Sequence, residues 1–240
     1  INANKVFVMK ACELFTFPES LKIFSEFFDQ NAQPWEWLPK IKEALNAVDF
    51  AALKDAKTPS EIPQNLHIEG KVFIHKTAKL PHFGTIIGPA YIGANTELRP
   101  SVYIRGNVIA GENCVLGNSC EFKNCIVMDN AQIPHFNYVG DSILGNFSHL
   151  GAGVICANLK LDKSNVYAYT ESGKVQTNLR KFGAILADKA ECGCNAVLQP
   201  GTILAKKAIV LSGIAFSGYL EENTMYYEKP ANPRKVRRMW

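Results

Sequence analysis

No run of apolar residues in this 240-residue chain approaches the roughly 18 that a membrane span needs. The start, INANKVFVMK, makes no signal peptide, because polar residues interrupt it before an apolar stretch forms. An initiator Met is missing, and a trimmed chain or a fragment is the expectation. Charge of one sign is also scarce: 26 Lys and Arg stand against 22 Asp and Glu, a net +4. That excess is too small to point to nucleic acid. The five histidines include no His-x4-His pair, so no metal site is expected. The seven cysteines, an odd number without a secretory signal, suggest reduced thiols in a cytoplasmic protein. Cys192-Gly-Cys194 is one residue too tight for a CxxC motif, and core filling is the expected role of the thiols.

What the sequence does contain is a rhythm. Every sixth residue from 68 is apolar: Ile68, Ile74, Leu80, Ile86, Ile92, Leu98, Ile104, Ala110, Leu116, Phe122 and Met128. At 47% apolar composition, chance gives eleven in a row about 2 times in 10,000. The phase slips through Ile133, Val139, Leu144 and Leu150, then resumes from Leu186 to Phe216. Six fits neither the 3.6 of a helix nor a long amphipathic strand. It fits very short strands joined by turns, with one side chain per six pointing into a shared interior. Glycines after the apolar slot, as in Ile92-Gly93, Leu116-Gly117 and Leu150-Gly151, suit such turns. The expected fold is all-β, a parallel β-helix of hexapeptide repeats over 63–220, and such solenoids need capped ends.

Three segments leave the rhythm. Residues 1–62 carry two helical stripes, one with Leu21, Phe24, Phe27 and Phe28 and one with Leu38, Ile41, Leu45 and Val48. They are expected to form a small α-helical cap. A polar insertion at 159–182 breaks the hexads and predicts a functional loop. The tail, 221–240, is basic, with Arg234, Lys235, Arg237 and Arg238.

Arg105 and Lys123 are eighteen residues apart, so a three-sided coil of hexads stacks them on one edge. With no acid beside them, such a pair invites a phosphate, although two solvated surface cations fit as well. His135 is by itself more often structural than catalytic. Gly151-Ala152-Gly153 offers backbone N–H groups to an oxyanion, a weak signal alone.

Taken together, Glu121-Phe122-Lys123 and His135-Phe136-Asn137-Tyr138-Val139-Gly140-Asp141, with twelve residues from Lys to His, resemble a known family. They are similar to the acetyltransferase half of the bacterial bifunctional N-acetylglucosamine-1-phosphate uridylyltransferase/glucosamine-1-phosphate acetyltransferases, over about 66–216. That half is a left-handed β-helix of the hexapeptide acyltransferase superfamily. The resemblance implies a homotrimer that takes acetyl groups from acetyl-CoA. It implies that Arg105, Lys123 and Lys181 hold the sugar phosphate, that Tyr138 and Asn158 line the sugar site, and that His135 is the general base. Ala152 would give its N–H to the thioester oxygen, with Cys194 and Ser212 along the pantetheine arm and the basic tail near the CoA phosphates. His149 stands where the family has Asn, Leu159 stands where it has Tyr, and the insertion is longer. The acceptor is thus expected to be an amino-sugar 1-phosphate or a nucleotide amino sugar. Nothing in 1–62 resembles the nucleotide loop of the uridylyltransferase half. An O-acetyltransferase or a metal-dependent hydratase of the same fold, and a non-catalytic trimeric module, are the competing expectations.

Overall fold

The structure, a computed structural model, describes residues 9–228. It is the left-handed parallel β-helix that the hexad rhythm predicts. The chain winds through three sheet faces. Face one runs from Asn65–Glu69 through Phe83–Ile87 and Tyr103–Arg105 to Ala215–Phe216. Face two runs from Val72–Ile74 through Ala90–Ile92 and Val108–Ala110 to Tyr219–Leu220. Face three runs from Glu97–Leu98 through Val115–Asn118 and Gln132–His135 to Met225–Tyr226. Ile86 pairs with Ile104 and Ala90 with Val108, so one full coil takes eighteen residues. The hexad residues, joined by buried Cys114, Cys120, Cys125, Cys156 and Cys192, fill the interior.

Two strands depart from this plan. Glu121–Val127 and Tyr138–Leu144 run unbroken from face one into face two. Inward-facing Ile104 and Ala110 are six residues apart, but their partners Phe122 and Val127 are five apart, as are Val139 and Leu144. One residue is therefore missing from the corner, which is turned by Asn124 (φ 47°) and Asp141 (φ 48°). Asn and Asp are the non-glycine residues that enter this left-handed region most readily. The shortened corner is also where the arithmetic slips: Met128 is buried, but among the side chains outside face two and not in the interior.

The N-terminal segment, expected as a cap, lies instead along the side of the solenoid. Face two presents Tyr91, Ile109, Ile126, Ile143, Ile185 and Ile203 on its outer surface, and Trp35, Trp37, Phe24, Ile41 and Leu45 cover them. Its strands are buried on both sides, and so need apolar residues in succession. Much of the segment is 3₁₀ helix, Glu19–Phe27 and Pro34–Lys40, before the short α-helix Ile41–Ala47. Residues near 56–62 reach the open end of the first coil, where Lys57 N–H bonds Ile74 C=O and Ile62 packs on the core.

The insertion is not structureless. Tyr167–Thr170 and Gly173–Gln176 form an antiparallel hairpin. Val166, Ala168 and Phe182 are buried against face two, with Phe182 6.5 Å from the Trp35 ring centroid. Tyr169 N–H bonds Gly201 C=O at 3.1 Å. The insertion, expected as a functional loop, has structure of its own: most of it is held by its own chain, and the outward part is near Leu159 and fully exposed Leu161. Among the described residues no helix is long and apolar enough to cross a membrane.

Candidate functional site on face one and its flanking turns

Face one carries a polar cluster. Arg105 and Lys123 occupy equivalent positions on successive coils, as their spacing predicts, because Tyr103 pairs with Glu121 and Ile104 with Phe122. The expectation that they lack acids is wrong. Arg105 Nη1 lies 2.5 Å from Glu121 Oε1, and Lys123 Nζ lies 3.6 Å from Asp141 Oδ2. Parallel pairing sets both contacts, since a side chain on one coil meets the diagonal neighbour on the next. Arg105 is exposed, so its ion pair stabilises the fold little.

Asp141 is the centre of the cluster. It is only 6% exposed and accepts hydrogen bonds from Asn124 Nδ2 at 2.9 Å and Asn158 Nδ2 at 2.5 Å. Asn158 also donates to Tyr138 Oη at 3.1 Å. Burial raises the Tyr138 hydroxyl above its ordinary range, with the Asn158 bond opposing it. Gly140 makes room for this arrangement: a Cβ there would sit 2.5 Å from Tyr138 Oη and 2.7 Å from Asn158 Nδ2. Lys181 joins at the root of the insertion, where the next residue's N–H, that of Phe182, bonds Asn158 C=O at 3.0 Å. Lys181 itself is exposed. Four of the expected acceptor-site residues, Arg105, Lys123, Tyr138 and Asn158, thus share one surface with Lys181 at its edge.

The remaining candidates lie around the corner on face three. Asn118, His135, Ala152, Cys194 and Ser212 take the same position on successive coils. Three bonds of 2.8–3.0 Å mark the register, from Gly153 N–H to His135 C=O, Asn195 N–H to Ala152 C=O and Gly213 N–H to Cys194 C=O. The carbonyls along this column are engaged. By contrast, among the described residues no acceptor takes the N–H of Ala152, Cys194 or Ser212. Cys194 and His135 are exposed, the latter with its ring 6.2 Å from Phe136. His149, which the resemblance places in the sugar site, does not join the polar cluster, because it lies on face three, with Nδ1 3.9 Å from Glu191 Oε2. The basic-tail residues Arg234, Lys235, Arg237 and Arg238 lie outside the described residues.

Glu121, Asn124, Gly140 and Asp141 were not singled out from the sequence as site residues. Their signal was present in the Glu-x-Lys and Gly-Asp elements of the two motifs, where an acid sits two residues before Lys123 or eighteen residues after it.

A polar cluster at one edge of face one and a histidine-bearing turn column at the other edge define a β-helix protein with a surface site. The chain belongs to the GMPPB C-terminal domain family, whose model matches residues 86–217. The bifunctional protein GlmU of Methanococcus vannielii is 34% identical over 215 residues, 88% of this chain and 50% of that protein. A bifunctional sugar-1-phosphate nucleotidylyltransferase/acetyltransferase of Sulfurisphaera tokodaii is 31% identical over 181 residues, 75% of this chain and 44% of the relative. The chain thus spans about half the length of the curated relatives it matches. A solved structure of AntD, an N-acyltransferase of Bacillus cereus, is 15% identical, with 78% of this chain and 92% of that one covered. Its TM-score of 0.37 is too low to argue from.

Proposed function

We propose that the chain transfers acetyl groups from acetyl-CoA to the amine of an amino-sugar 1-phosphate or a nucleotide amino sugar. The observation that supports this best is the presence of two unlike surfaces at the two edges of face one, on neighbouring coils. One holds cations with a Tyr–Asn–Asp network, and the other holds a histidine one coil from an unengaged backbone N–H. Arg105, Lys123 and Lys181 bind the phosphate, displacing their carboxylate partners in part, and Tyr138 and Asn158 contact the sugar.

In the reaction the amine lone pair attacks the thioester carbonyl and the N–C bond forms. His135 takes the amine proton, a service worth roughly 10²–10⁴-fold. The Ala152 N–H receives the oxyanion, and one such donor is typically worth roughly 10²–10³-fold. The C–S bond then breaks and the proton passes to the CoA thiolate. Cys194 and Ser212, one and two coils further along the column, lie beside the pantetheine arm. Direct transfer needs no covalent enzyme intermediate. A homotrimer completes the site by covering His135, which is exposed in the single subunit.

The test is thiol release from acetyl-CoA in the presence of a panel of amino-sugar phosphates and nucleotide amino sugars, with light scattering on the same sample. Turnover with one class and a trimeric mass are expected. No turnover across the panel overturns the enzymatic proposal, and a strict monomer at micromolar concentration removes the shared site.

A further inference from the structure

The inner corner between faces three and one is lined by Val102, Cys120, Val154, Ala196 and Ile214, all buried in the apolar core. On the one coil that carries His135, this position is Asn137, 3% exposed. An amide buried among apolar side chains is unfavourable unless its hydrogen bonds are made. Here they are made, and they converge on the reaction column. Asn137 Nδ2 donates to Gly151 C=O at 2.7 Å. Asn137 Oδ1 accepts from His135 N–H at 3.2 Å and from the Cys120 thiol at 3.4 Å. Its backbone carbonyl accepts from Glu121 N–H at 2.9 Å, next to the Arg105 partner.

The turn that this amide grips has no closing bond of its own, and among the described residues those at 134–137 and 211–214 show none either. At residues 99–102, 117–120 and 193–196 the corner closes on itself, through bonds from Val102 N–H to Arg99 C=O, Cys120 N–H to Gly117 C=O and Ala196 N–H to Gly193 C=O. Among the described residues no such bond joins Val154 N–H to Gly151 C=O. The Gly151-Ala152-Gly153 turn is fixed from outside by the Asn137 amide, and two glycines flanking Ala152 leave it little stiffness of its own. We infer that Asn137 is a positioning residue: a buried side chain that, beside the direct bond from Gly153 N–H to His135 C=O, ties the His135 backbone to the turn presenting the Ala152 N–H, and so tunes the distance between base and oxyanion donor. This rests on the acetyl-transfer proposal above. Asn137 does not itself reach the surface where the substrates meet.

Two variants test it in the whole protein. Asn137→Val supplies the residue that Val102 and Val154 use at the same position. It is expected to keep the trimer and a melting temperature within a few degrees, to leave both KM values within about 3-fold, and to lower kcat roughly 10- to 100-fold. Asn137→Asp retains the acceptor for His135 N–H but donates to Gly151 only when protonated. Its activity, taken as a ratio to the unmodified protein at each pH, is expected to fall as pH rises. A merely structural role moves stability and leaves that ratio flat. Should Asn137→Val fail to fold, the Asn137→Asp ratio decides. A kcat for Asn137→Val within about 3-fold of the unmodified protein, or a flat ratio for Asn137→Asp, overturns the inference. If the unmodified protein transfers no acetyl group to any acceptor, it is the functional proposal that falls. Positioning is then read from the amide ¹⁵N shifts of His135 and Ala152, and shifts unchanged in Asn137→Val refute it.

Discussion

Replacing Gly140 by Ala probes the acceptor surface without removing any of its functional groups. The backbone tolerates the change, since Gly140 is not among the residues of positive φ. The added methyl would stand 2.5 Å from Tyr138 Oη and 2.7 Å from Asn158 Nδ2. Ordinary contact begins near 3.4 Å, so the tyrosine end must retreat by 3.4 − 2.5 = 0.9 Å and the amide by 3.4 − 2.7 = 0.7 Å. Both can move, because both are ends of side chains on a partly open surface. Loss of the 3.1 Å Asn158–Tyr138 bond alone costs about 1 kcal/mol, or about 5-fold in acceptor affinity. If the Asn158–Asp141 bond is lost too, a bond to a charged group adds about 1.5–3 kcal/mol, and the total of about 2.5–4 kcal/mol corresponds to roughly 70- to 900-fold. Steady-state thiol release should therefore show acceptor KM rising between these bounds, with KM for acetyl-CoA unchanged and the melting temperature within a few degrees. An unchanged acceptor KM would refute the placement of the sugar against Tyr138 and Asn158. Equal loss for both substrates would show that the methyl disturbs the coil instead.

Other outcomes follow from the same geometry. Arg105→Ala or Lys123→Ala should raise acceptor KM by about 1.5–3 kcal/mol, roughly 10- to 150-fold, and leave acetyl-CoA binding unaltered in calorimetry. Each change also strips a carboxylate, Glu121 or Asp141, of its cation and leaves an anion facing the phosphate. His135→Ala should lower kcat roughly 10²–10⁴-fold with the melting temperature kept, while His149→Asn should stay near full activity; the reverse pattern would move the base to His149. At about pH 8, near the reference range of a free thiol, a colorimetric reagent should label exposed Cys12 and Cys194 quickly, and all seven cysteines only after denaturation. Burial pushes the Cys114 and Cys156 thiols up to about 12 and raises Cys125 and Cys192 as well. The unfolded chain then binds fewer protons above about pH 8.5, so stability falls as pH climbs from there toward about 12, by roughly 1.4 kcal/mol per unit for each such thiol. Flat melting temperatures from about pH 8 to 10.5 would contradict that burial.

The solenoid was legible because its interior takes one side chain per hexad, and from Ile86 to Phe122 nothing disturbs the count. The rhythm says nothing about the outside. Face two needed apolar triplets such as Ala90-Tyr91-Ile92 and Ala184-Ile185-Leu186, and these were visible, but a hexad template reads only one residue of each. The side-on seat of the N-terminal segment went unseen for that reason. The hairpin had its own sign in the alternation of Tyr167-Ala168-Tyr169-Thr170 before Glu171-Ser172-Gly173, hidden by the polar character of its surroundings. In the site, residue types and spacing placed Arg105 over Lys123 but gave no view of the carboxylates. Glu121 and Asp141 reach their partners diagonally between coils, at separations of sixteen and eighteen that follow from register. Register in turn depends on a corner shortened by one residue, whose trace in the sequence is the slip of the apolar phase, five residues from Val139 to Leu144, with nothing to say which corner lost the residue.

That shortened corner has a mechanical consequence. Elsewhere the wall of the solenoid is jointed, with a turn between each strand and the next. At Glu121–Val127 and Tyr138–Leu144 it is braced by two continuous seven-residue rails that pass under the acceptor surface. Each rail bends at Asn124 or Asp141 without interrupting the strand, so Lys123, Tyr138 and Asp141 are expected to hold their spacing when an acceptor binds. Adaptation to acceptors of different size must then come from pieces bolted on beside the rails, such as the Lys181 end of the insertion. Amide protons along the rails should be the last in the protein to exchange with solvent.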